Sequence, residues 1–136
     1  MGAWGATGSR SVTYRPRERL VVTTLDDVRT SCDVLGARLE TRPTWPQLRA
    51  VYLDLAPLVG KLQGLTRERV NESAEADAAY RAEAALDRFK TLTRKVGLDM
   101  RLTSEAGLIM GLHACLQSAR ETLDCLQALS DNDEPE

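Results

Sequence analysis

Few residues in this chain could carry catalytic or metal chemistry. There is one histidine, His113, and there are three cysteines, Cys32, Cys115 and Cys125. A metal site inside a helical bundle needs inward carboxylates with histidine at short helical spacing, such as Glu-x-x-His. The nearest acid upstream of His113 in its helix is Glu105, eight residues away. Cys115 follows His113 by two residues, which places the two on different faces of a helix. No CxxC pair exists and the cysteine number is odd, which argues against a zinc site and a disulfide framework. A Cys–His nucleophile would need Cys32 or Cys125 to meet His113 across the fold. Cys32, however, falls on an apolar stripe and reads as a packing residue. The carboxylates that could work as acid and base, Asp26, Asp27, Asp33, Glu83, Asp87, Glu121 and Asp124, all fall off the apolar stripes. No phosphate-binding glycine loop is present. The expectation is no catalytic residue, no metal and no cofactor.

Composition points to a globular chain. Hydrophobic residues make up 43% and charged residues 28%, which separates it from disordered sequences. Aromatics are only 4%, so the core must be built from Leu, Val and Ala. The net charge of −2 lacks the basic excess of a dedicated nucleic-acid binder. No apolar run approaches the roughly 20 residues of a membrane span. The N-terminus has no secretory apolar segment, and reduced cysteines fit a cytoplasmic location.

The apolar spacing predicts an all-α, antiparallel four-helix bundle over residues 24–130, preceded by an irregular N-terminal arm over 1–23 and followed by an acidic tail over 131–136. The first helix opens on a capping box, Thr24 with Asp27, and carries Leu25, Val28, Cys32, Leu35 and Leu39 in steps of three and four. The second opens on Thr44 with Gln47 and carries Leu48, Val51, Leu55, Leu58, Leu62 and Leu65, with a kink expected at Pro57. The third is expected to start after Ser73 and to present Ala79, Ala82, Leu86, Phe89, Thr93 and Val96. Gly97 stands where a terminating glycine belongs. An Asp77–Arg81 ion pair is expected along it. The fourth starts at Thr103 or Ser104 and runs to about Leu129, with Ile109, Leu112, Leu116, Ala119, Leu123 and Leu126 as its stripe.

The first helix, roughly 24 Å long at about 1.5 Å per residue, is shorter than the fourth at roughly 39 Å. Part of the bundle is therefore expected to lack a fourth helix and to be covered by the N-terminal arm, a second copy of the chain or a protein partner. Trp4, Trp45, Leu62 and Leu65 are the candidate interface residues. A second reading is a small-molecule pocket near Pro57, lined by Tyr52, Tyr80, Phe89, His113 and Cys115. A third is nucleic-acid contact through the arm, where Arg10, Arg15, Arg17 and Arg19 accompany Trp4 and Tyr14.

The segments TWPQLRAVYLDLAPLV and GLIMGLHACLQSARETLDCLQAL, in a four-helix order, resemble small actinobacterial proteins of a domain-of-unknown-function family associated with natural-product biosynthesis. The likeness spans roughly residues 24–129. It implies an accessory or regulatory role beside a biosynthetic pathway and brings no catalytic residues with it. The leading expectation is a non-enzymatic helical interaction module.

Overall fold

The computed structural model describes residues 24–133, with side chains described as far as Leu129. The N-terminal arm, with Trp4 and its arginines, and residues 134–136 lie outside the described residues. Four helices follow in order: α1 Leu25–Leu39, α2 Trp45–Asn71, α3 Ala76–Asp99 and α4 Glu105–Asp133. Successive helices run antiparallel because their connections are short. The chain is an antiparallel four-helix bundle. α4 packs against all three other helices, whereas no Cα atom of α1 lies within 8 Å of one in α3.

Local chemistry sets the helix starts. At α1 the Thr24 hydroxyl accepts from the Asp27 N–H at 3.1 Å, and the Asp27 carboxylate accepts from the Thr24 N–H at 3.1 Å. At α2 the Gln47 side chain accepts from the Thr44 N–H at 2.8 Å. At α4 the Ser104 hydroxyl accepts from the Gly107 N–H at 3.0 Å. Each bond satisfies an orphan group of a helix end. α3 starts later than the sequence suggests. The Ser73 hydroxyl accepts from the Glu75 N–H at 3.0 Å, which turns the chain and holds Glu75 outside the helix in an extended conformation.

The core follows the spacing closely. All five stripe residues of α1 and all six of α2 are buried. On α3 the stripe begins at Ala78 rather than Ala79. On α4 Ile109 is only half-buried, while Leu108, Cys115 and Leu129 join the buried set, because this helix faces three neighbours. α4 also continues one turn past the expected end, to Asp133. The Asp77–Arg81 pair does not form. Four ion pairs join different helices: Arg29–Asp124 at 3.0 Å, Arg38–Asp54 at 2.6 Å, Arg88–Glu121 at 2.9 Å and Arg120–Asp33 at 3.1 Å.

These pairs fix the register, and the register corrects the sequence reading of Leu62 and Leu65. Arg38 at the end of α1 meets Asp54, well inside α2. The connection between them climbs along the bundle, with Arg42 in the left-handed region at φ 54° and Pro43 buried. α1 therefore lies beside the second half of α2. Leu62 and Leu65 sit in that covered half and are 0% and 6% exposed. The half that α1 leaves open is the other one, around residues 45–53.

α2 is one continuous helix through Pro57. The proline is on the exposed side, where the Leu53 carbonyl that loses its intrahelical donor can turn to water. Gly60 and Gly64, also exposed, would meet nothing within 4 Å if each carried a Cβ. A helix-interior glycine costs about 1 kcal/mol relative to alanine. The Gly60→Ala/Gly64→Ala double variant should thus be more stable by about 1–2 kcal/mol in urea unfolding. No gain in midpoint would mean that α2 needs those glycines for another reason.

Candidate functional site

The structure does not bring the five expected pocket residues together. Phe89 and Cys115 are 0% exposed inside the core. His113 is exposed on the outer face of α4. Tyr52 and Tyr80 line two separate clefts. Among the described residues, no group of three or more His, Cys, Asp or Glu side chains could hold a metal ion.

The cysteines are placed for packing. Burial pushes the Cys32 thiol up, against an opposing pull from the Arg120 guanidinium. Burial likewise raises Cys115, with the Thr93 hydroxyl pulling partly back. Burial and the Asp124 charge raise Cys125. A raised thiol pKa means the folded state holds its protons while unfolded thiols, near 9.0, release theirs. This contribution to stability is complete below pH 9 and declines above it. Stability should fall more steeply above pH 9 in the native protein than in a Cys32→Ala/Cys115→Ala variant, as read by urea midpoints across pH. Parallel curves would remove the thiols from the account. In the folded protein Cys125, only half-buried, should react with a thiol reagent before the other two.

The surface is more informative than the interior. The first turns of α2 lie against the last turn of α3 and leave a cleft of about 440 Å³. Trp45, Tyr52 and Leu53 line it from α2, and Leu98 and Met100 from the end of α3. Arg49 and Arg101 stand on its two sides. Neither makes an ion pair with a described residue. Leu53 and Leu98 are 57% and 73% exposed, and Leu102 in the adjoining turn is 86% exposed. Gly97 is not a helix terminator here, since α3 continues to Asp99. A Cβ on Gly97 would run into the Tyr52 phenol, whose Cζ would lie only 3.0 Å away. The glycine gives the ring its seat against the α3 backbone.

A second cleft, of about 500 Å³, lies lower between the same two helices. Gln63, Arg67 and Val70 of α2 face Tyr80, Glu83 and Asp87 of α3 there, so it is more polar. Of the expected interface residues, only Trp45 among those described reaches an open surface. Sequence reasoning missed Arg49, Leu53, Leu98 and Arg101. The signal available was that Leu53, Leu98 and Leu102 are apolar yet lie off the three-and-four stripes.

No helix of the described residues is long and apolar enough to cross a membrane. Compared with protein-family models, with curated proteins and with solved structures, the chain matches none.

Proposed function

We propose that this protein is a non-enzymatic helical interaction module that docks another protein on the open end of its bundle. The observation that carries the reading is the clustering of exposed apolar side chains, Leu53 and Leu98 above all, in the cleft between the start of α2 and the end of α3, which two arginines flank. Exposed apolar groups cost little singly, but a contiguous patch with charged borders is typical of a docking surface. The likeness to small proteins associated with natural-product biosynthesis suggests that the partner belongs to such a pathway.

Native mass spectrometry of the protein, purified gently from a host close to its source, tests this. The expected result is a complex of the chain with a second protein, lost in a Leu53→Glu/Leu98→Glu variant that keeps its helical melting curve. Extra mass of a few hundred daltons, retained in that variant, would overturn the proposal in favour of a small-molecule binder.

A further inference from the structure

The two clefts lie along one seam between α2 and α3, a groove open at both levels. On α2 the upper cleft uses Trp45, Arg49 and Tyr52, and the lower one uses Gln63, Arg67 and Val70. These positions follow one another at helical spacing on a single face, with Ala56 and Gly60 continuing it between them. On α3 the lower cleft uses Glu83 and Asp87, and the upper one uses Leu98, with Met100 and Arg101 just past the helix end. From Trp45 to Val70 the groove measures roughly 37 Å at about 1.5 Å per residue.

The groove has a sign. Its upper cleft carries Arg49 and Arg101, and neither makes an ion pair with a described residue. The acids of the groove, Glu83 and Asp87, lie in the lower half beside Arg67. The exposed apolar side chains Leu53 and Leu98 sit among the bases. An amphipathic helix laid into such a groove buries its apolar stripe and places its flanking charges over the walls. Opposite charges there steer the encounter and select the partner.

The geometry points to an acidic amphipathic helix of a partner protein as the occupant, lying along the α2–α3 groove as a fifth helix. Its leucine-type residues rest on Leu53 and Leu98. Its carboxylates lie over Arg49 and Arg101. This rests on the interaction-module reading and names the chemistry of the partner.

Two labelled helical peptides with the same leucine stripe, one flanked by glutamates and one by lysines, test the assignment on the full chain by fluorescence anisotropy. The glutamate peptide should bind at least about tenfold more tightly. In an Arg49→Glu/Arg101→Glu variant the preference should invert, and the melting curve should stay unchanged because both side chains are exposed. Amide NMR signals of Gly60, Gly97 and Leu98 should shift on binding. Equal binding of the two peptides, or a preference indifferent to the charge reversal, would overturn the proposal. Binding that appears only after removal of residues 1–23 would assign the groove to the chain's own arm and overturn it too. A second copy as occupant would show itself as a dimer that Leu98→Glu dissolves. If the peptides fail while native mass spectrometry finds a Leu98-dependent protein complex, the acidic helix falls and the module stands. If both fail, the module falls with it.

Discussion

Phe89→Ala should lower the unfolding free energy by about 3–5 kcal/mol, measured by urea denaturation. Phe89 is the chain's one phenylalanine and is 0% exposed, on the face of α3 turned into the core. Truncation removes its transfer free energy and leaves a cavity that four packed helices cannot collapse to fill. The rest of the core is aliphatic, with Leu55, Leu62, Leu112 and Leu116 buried to within 1%. Trp45 and Tyr52 only border the core. A loss below about 1 kcal/mol would mean that Phe89 lies at a surface and that the helix register is wrong.

Leu62→Ala is the second large effect, and it separates core from interface. A leucine at an exposed docking strip would leave the stability of the isolated chain nearly unchanged and would weaken only the complex. Leu62 is 0% exposed in the half of α2 that α1 covers. Its truncation should therefore cost about 2–5 kcal/mol in the protein alone. Leu53→Ala, on the same helix but 57% exposed, should cost less than about 0.5 kcal/mol. Equal effects of the two substitutions would contradict the register.

This contrast shows what the sequence could and could not convey. The core of α1 and α2 was legible because burial on a helix repeats every three or four residues, and each of those stripe positions is buried. The Thr24–Asp27 cap was legible because a capping bond spans three residues and needs no tertiary partner. The sliding of α1 along α2 was not legible. It depends on the path of residues 40–44, where Arg42 takes a left-handed conformation that its residue type does not announce. That slide puts Leu62 and Leu65 beside α1 and carries the first turns of α2 beyond its end. Gly97 shows the same limit. A glycine near a helix end reads as a terminator, but its reason is the Tyr52 ring 45 residues earlier in the chain. Pocket residues chosen by chemical type alone scattered, because Phe89 and Cys115 belong to the core and His113 to solvent.

The ion pairs contribute register more than stability. All four are at least a third exposed on both partners, so each is worth between 0 and about 1 kcal/mol. Arg120 stands slightly apart, since it also donates to the Cys32 carbonyl at 3.3 Å and lies over Gly36. It ties α1 to α4 at the level where α1 is flanked by both long helices. The bases of the upper α2–α3 groove have no such duty within the described chain, which is why a partner's carboxylates fit them.

The docking end is tested most directly by site-specific photo-crosslinking in cells of the source or a near relative. A photoreactive side chain replaces Leu98 in one sample and Met110 in another. The two residues are equally exposed, at 73%, but only Leu98 lies in the cleft. The account predicts a discrete protein adduct from position 98 and none from position 110. Adducts of equal yield from both positions, or none from position 98, would contradict it.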